Sequence, residues 1–554
     1  VRRWRTALIS MTALAALLVP VQAADAADQG GKPRDAAGPF VRLGHGKTKA
    51  PARGAALVDH SVTIHGIDRN GTQVAPVATI IDTTTGTEYP LNVSGDTLTG
   101  SVPDGEYSLT GIIVTGDPWA PDNLTLYGNP TLTVGGDTDI TLDARTAAEV
   151  KAVSPSTTAT EVDSYAQIVD TIAGQEISTT LRGSASVPLY AWPSASTTRP
   201  YHFVYVESQV EPLTTLPSPR AYNLAFPTSG QIPSTLTFTA TPASLALVNT
   251  TYGSQGVAST SPGPHTSVID FDGVGGRVLG LTHPANAPST QRVYYTAAGV
   301  HWRSNYIYTL GQQVAENDFA SRTYTAGSTY SENWNKAAFG PTLKVGHGQG
   351  LFVTAPLLAD TSIPDHENLG GQSSTGTTGS LTLYRNGVQV GTSTNPLGNN
   401  WTVPPQAANY RLDLAAQRTV GWSKYATKVN ASWKFSSAEG STDPFVDQHN
   451  VLQPRIGGNF DTSGRAPSGT TFPLDVRVQR PPGGTAVATI SLKASFNDGA
   501  TWTTLTLTPN GTDRWTANVS HPAVNNGYVA LRFQASDSSG NSVDQTVTRA
   551  YGLS

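Results

Sequence analysis

Nucleophilic hydrolysis needs a serine hydroxyl activated by a histidine that a carboxylate holds in place. This 554-residue chain has serine, aspartate and 11 histidines, so composition alone permits such a triad. No Gly-x-Ser-x-Gly elbow on a strand-to-helix turn exposes a nucleophile. His301, His347 and His366 lie in the middle of the chain. They would mark a hydrolase only if folding gathered one of them with a serine and a carboxylate in a cleft. The remaining hypothesis for such a region is a non-catalytic one, with scattered histidines.

Metal chemistry has few footholds. Asp365-His366-Glu367 does not belong to a His-Glu-x-x-His helix, which a zinc peptidase requires. Asp270 with Asp272, and Asp537 with Asn541, are the places where Ca²⁺ could be held by carboxylate and amide oxygens. Asp and Asn also bond their own backbone in strand-joining turns without any metal. Gly46-Lys47-Thr48 lacks the leading glycine of a phosphate loop, because Val41 stands there. No other cofactor is expected. Among the tryptophans, Trp302, Trp334, Trp401 and Trp422 read as core plugs. Trp119, in Gly116-Asp117-Pro118-Trp119-Ala120-Pro121, is the best candidate for exposure and for ligand contact.

The elements that must position these residues are strands. Charged residues make up only 14% of the chain, while Gly (54) and Pro (38) are frequent. That mixture disfavours long helices and suits short strands joined by turns. Period-two runs bounded by Gly, Pro or Asp recur, as in Ser61-Val62-Thr63-Ile64-His65-Gly66-Ile67. The fold class expected is all-β, as tandem β-sandwich domains. Asn386-Gly387, between two alternating runs, predicts a type I′ hairpin. Residues 146–150 read as a short helix. Trp502, Trp515 and Phe533 are core candidates of the last sandwich.

The boundaries expected are a signal peptide over 1–26, a linker over 27–57 and a sandwich over 58–145. A β-rich middle region over 146–364, a sandwich-like unit over 365–445 and a final sandwich over 446–554 follow. The first segment has the charged start Arg2, Arg3 and Arg5, an apolar run and the small-residue site Ala24-Asp25-Ala26. It predicts general secretion, with no membrane span in the mature chain. Zero cysteines exclude thiol nucleophiles, thiolate metal sites and disulfides. A net charge of -5 gives no basic field for nucleic acid.

Several blocks resemble known exported domains. Pro103-Asp104-Gly105-Glu106-Tyr107 resembles the signature of carboxypeptidase-regulatory, prealbumin-like domains, in which the glycine takes a tight turn and the tyrosine packs inside. Asn497-Asp498-Gly499 with Asp537-Ser538-Ser539-Gly540-Asn541 resembles immunoglobulin- or fibronectin-like sandwiches. Tyr324-x-x-Gly327, Glu332-x-Trp334-Asn335 and Phe339-Gly340-Pro341, then the hairpin at 381–391 and Trp433-x-Phe435, follow one order. That order resembles the C-terminal accessory region of actinobacterial secreted subtilisin-like serine peptidases. The catalytic blocks of that family are missing, and Asp461-Thr462-Ser463-Gly464 has one residue too many for its aspartate block. The resemblance implies a secreted, non-catalytic binding or accessory protein. Its partner would be an exported peptidase, another protein or a cell-wall polymer. The alternatives are a hydrolase with its site in the middle region, or the remnant of a split peptidase.

Overall fold

The computed structural model describes residues 40–44, 58–212, 219–260, 262–271, 274–310, 313–363, 366–368, 376–440, 451–481 and 483–554. The signal peptide, the Gly46-Lys47-Thr48 segment, Asp272 and Asp365 lie outside them. Tandem β-sandwiches make up the described chain, and its only helical turns are the short 3₁₀ segments Ala144–Thr146 and Pro242–Ser244. Among the described residues, no helix is long and apolar enough to cross a membrane.

The first sandwich packs a five-stranded sheet containing Asp59–Ile67 and Thr97–Pro103 on a seven-stranded sheet containing Val77–Asp82, Gly105–Asp117 and Ala120–Val134. Alternation puts Val62 and Ile64 inside, against Ile80, Leu109 and Ile113 from the other sheet. Tyr107 is fully buried, and its hydroxyl donates to the Pro103 carbonyl at 2.7 Å. Gly105 does not take a left-handed turn. A Cβ there would sit 3.3 Å from the Tyr107 ring, so the glycine makes room for the tyrosine.

The expected boundary after residue 145 runs through a sheet. Ala148–Val153, Leu189–Ala191 and Thr237–Thr239 complete the seven-stranded sheet from the far side of that boundary. The helix read over 146–150 is a 3₁₀ turn capped by Asp143, followed by a strand in which Val150 and Ala152 are buried. Five residues are too few to separate period 2 from period 3.6. Part of the expected linker is also a strand: Phe40–Gly44 pairs antiparallel with Gln175–Gly183.

The middle region centres on an eight-stranded sheet whose neighbours include Thr160–Ile172, Tyr201–Val210, Arg220–Ser229, Ser289–Thr296, Leu245–Tyr252 and Thr329–Trp334. One face packs on Ile112, Leu124 and Leu126 of the first sandwich. The other packs on Ile269, Leu281 and Trp302 of a five-stranded sheet containing Gly263–Phe271, Val274–Ala285 and Val300–Leu310. A sheet covered on both faces has no polar side to alternate with, and Tyr201–Val210 is buried at nearly every position.

The boundary between 445 and 446 is likewise crossed. Lys428–Ser437 pairs with Ser542–Leu553, which fuses the two expected sandwiches into one nine-stranded sheet over one core. Asn386 (φ 49°) and Gly387 (φ 82°) form the I′ turn the sequence predicts. Phe533 is buried, whereas Trp502 and Trp515 are only half-buried, the first lying over Gly499.

Candidate functional site

The residues with the most reactive side chains meet between the eight-stranded sheet and the five-stranded sheet beyond it. Alternation along Gly263–Phe271 turns His265, Ser267 and Ile269 inward. His283 stands opposite His265 in the next strand, and the two rings stack at 4.6 Å. His265 Nδ1 lies 2.7 Å from the Tyr252 hydroxyl, and its Nε2 lies 3.4 Å from the Tyr295 hydroxyl. Trp334 meets His265 edge-on and stacks on His366 at 4.4 Å. His366 Nδ1 donates to the Asp360 carboxylate at 3.0 Å.

Burial sets the electrostatics here. It pushes the His283 imidazole down to about 3 and His265 well below its ordinary value, so both rings are neutral near pH 7. It pushes the Glu332 carboxyl upward, against the pull of His366 and Arg322. An aspartate-held imidazole is the orienting half of a triad. The His366 side chain is 1% exposed and that of Asp360 0%, so solvent does not reach the pair.

The three histidines singled out from sequence have separate settings. His366 faces Asp360. His347 is buried with Nδ1 3.0 Å from Ser437 Oγ, and its Nε2 makes no hydrogen bond. His301 is only half-buried, beside Thr323 Oγ1 at 3.1 Å. A serine–histidine contact and a histidine–carboxylate contact thus both exist, but on different histidines. Sequence reasoning missed His265, His283, Glu332 and Asp360. The run His265-x-Ser267-x-Ile269 carried the alternation that places the first of them inside.

Trp119 is the opposite case. Gly105–Asp117 and Ala120–Val134 form a hairpin whose two connecting residues are Pro118 and Trp119. Asp117 Oδ1 accepts the Trp119 backbone N–H at 2.9 Å and fixes the turn. Gly116 has φ +88°, and a Cβ there would meet the Asp122 carboxylate at 2.7 Å, so only glycine fits. The Trp119 side chain is left 76% exposed at the tip, while Trp302 and Trp334 are fully buried.

The calcium candidates have local settings. Asp537 Oδ1 accepts the Ser539 and Asn541 backbone N–H groups at 2.9 Å, and Oδ2 accepts Asn541 Nδ2 at 2.7 Å. Those bonds close a turn around the aspartate. Asp270 lies at the end of Gly263–Phe271, in register with His301. Asp461 accepts the Ser463 and Arg465 N–H groups in the same turn-forming way. Among the described residues, no group of three or more His, Asp or Glu is arranged to hold a metal ion.

No protein-family profile matches the chain, and no curated protein matches it in sequence. Among solved structures it is similar to Escherichia coli alpha-2-macroglobulin activated by porcine elastase, at 10% identity and TM-score 0.14. That match covers 90% of this chain, which spans about half (53%) of the other. The FN1–FN3 domains of chicken CNTN1 match 53% of this chain over 97% of their own, at 10% identity and TM-score 0.11. A streptococcal ancillary pilin matches 50% over 99% of its own, at 11% identity and TM-score 0.12.

Proposed function

We propose that this is a secreted, non-catalytic binding or accessory protein, comparable to the tail domains of subtilisin-like peptidases. It contacts a protein or a cell-wall polymer. The observation that carries this reading is the contrast in access between two sets of side chains. The paired His366 and Asp360 are sealed inside, while Trp119 stands 76% exposed on a hairpin tip. A large rigid aromatic offers contact area at little entropic cost, and such residues dominate binding energy where they are buried by a partner. The charged start and apolar run at residues 1–26, read as a signal peptide, support export.

The test is capture from the producing culture. The exported chain, immobilised through surface lysines, is exposed to culture supernatant and to purified wall, and retained material is identified by mass spectrometry. A retained exported peptidase or wall polymer, lost in Trp119→Ala, is the expected result. Turnover of peptide or glycan substrates by the pure chain would overturn the reading.

A further inference from the structure

Three neighbouring strands of the eight-stranded sheet place a hydroxyl, a carboxamide and a carboxyl side by side. Leu245–Tyr252 pairs antiparallel with Ser289–Thr296, with Thr250 directly opposite Gln291. On its other side it pairs with Thr329–Trp334, with Glu332 beside Thr250. All three side chains are buried, at 1%, 3% and 4% exposure, on the face that packs on the five-stranded sheet. None of their polar atoms makes a hydrogen bond: not Thr250 Oγ1, neither Gln291 Oε1 nor Nε2, and neither Glu332 oxygen. Glu332 Oε1 lies 3.8 Å from Arg322 Nε, an ion pair without a hydrogen bond. The Trp334 indole N–H is near enough to lower the Glu332 carboxyl, yet makes no full hydrogen bond.

Buried polar side chains are nearly always bonded, so five unbonded atoms on one cross-strand row need an explanation. Covalent union removes the hydroxyl and the amide nitrogen together. We propose that Thr250 and Gln291 form an intramolecular ester, with Glu332 as the base that drives its formation. Thr250 Oγ1 attacks the Gln291 Cδ carbon, and its proton passes to the Glu332 carboxylate. The tetrahedral carbon then collapses, the Cδ–Nε2 bond breaks, and Glu332 hands the proton to the leaving nitrogen. One ammonia departs and one ester remains, with no oxidant or other reagent needed.

The geometry suits this. Opposed antiparallel residues hold their Cβ atoms about 4.5–5.5 Å apart, a gap that a Thr–Gln ester spans. Holding the two groups in one register makes the attack unimolecular. Burial raises the Glu332 carboxyl, so its anion is a stronger base than a surface carboxylate. It also excludes the water that would hydrolyse the product. The ester ties together two strands through residues 41 apart in a chain without cysteine, which does the work of a disulfide. This inference is independent of the accessory role.

Mass spectrometry of the folded, exported chain decides it. Trypsin places Thr250 in residues 221–277 and Gln291 in residues 278–292, two separate peptides. The expected result is that these peptides stay joined, with a total mass lower by about 17 Da, one ammonia. Hydroxylamine, which cleaves esters, should release them. Thr250→Val keeps the shape and should restore two free peptides of unmodified mass. Glu332→Gln should leave most molecules unjoined. Recovery of both wild-type peptides free and unmodified from folded protein overturns the proposal. A deficit of the same size located elsewhere, with these peptides separate, overturns it as well. Full joining in Glu332→Gln overturns the role of the base.

Discussion

The two halves of the central eight-stranded sheet handle buried polarity in opposite ways. In the half that holds Thr160–Ile172 and Tyr201–Val210, carboxylates are buried with their partners. Asp170 accepts two bonds from Arg199, at 2.9 and 3.1 Å, and one from Ser108 Oγ. Asp163 accepts from Arg182 Nε and from the Thr282 N–H, both at 2.9 Å. Glu207 accepts from the Ala152 N–H, the Tyr205 hydroxyl and Gln209. In the other half, the imidazoles of His265 and His283, from the five-stranded sheet packed on it, are buried uncharged, and the side chains of Thr250, Gln291 and Glu332 make no hydrogen bonds. Donors surround the buried carboxylates of the first half, whereas the buried imidazoles give up their charge by a shift in protonation.

The difference has a sign in pH. Burial pushes Glu161 up to about 7 and Asp163 up to about 6. Those groups hold protons more tightly folded than unfolded, so their contribution is full below about pH 4 and is lost as pH rises through 6–7. The histidines run the other way. Their unfolded value is about 6.5, so their contribution is full above it and is lost as pH falls toward 3. Acid therefore loosens the histidine end while it favours the carboxylate end.

The largest effect should come from breaking a partnered charge. Arg199→Ala leaves Asp170 buried without its counter-ion and also frees the Pro130 carbonyl that ties the sheet to the first sandwich. A loss of about 3–5 kcal/mol in urea unfolding is expected, and a loss below about 1 kcal/mol would erase the contrast between the two ends. Next is acid itself. Each buried neutral histidine should withdraw up to about 1.4 kcal/mol per pH unit below 6.5. Hydrogen exchange at pH 4.5 should then open Gly263–Phe271 ahead of Thr160–Ile172, and the reverse order would contradict the pH assignment.

A finer cut is His283→Phe, which keeps an aromatic ring against His265 and removes one titrating group. It should flatten the acid limb by about 1.4 kcal/mol per pH unit with little change at pH 7.5. An unchanged slope would mean that His283 takes up its proton in the folded state as readily as in the unfolded one. The smallest effect should be Trp119→Ala, within about 0.5 kcal/mol of wild type. Binding, rather than stability, is where that substitution should register.

Much of the outer fold was legible. The runs at 61–67 and 431–435 show their period because one face of each strand is polar, and Asn386-Gly387 announces its turn by the positive φ it must adopt. The central sheet was not legible in this way, since both of its faces are covered and Tyr201–Val210 is buried at nearly every position without alternation. Trp119 was the best candidate for exposure among tryptophans whose type favours packing, and it is exposed because a loop flanked by Pro118 and Pro121 has no strand to turn it inward. Trp334 was legible as a core residue, but not the His366 and His265 rings it touches, which come from separate strands and loops.

The sequence by itself determined the all-β class, the turns and the lack of any thiol chemistry, because these follow from residue type and from contacts within a few positions. Only the tertiary structure decided where one sandwich ends and the next begins. Strands at 148–153 and 542–553 choose partners far along the chain, and local pattern carries no record of that choice. The same holds for the row of Thr250, Gln291 and Glu332. Strand register, set by the packing of whole sheets, brings together side chains that are 41 and 82 residues apart in sequence.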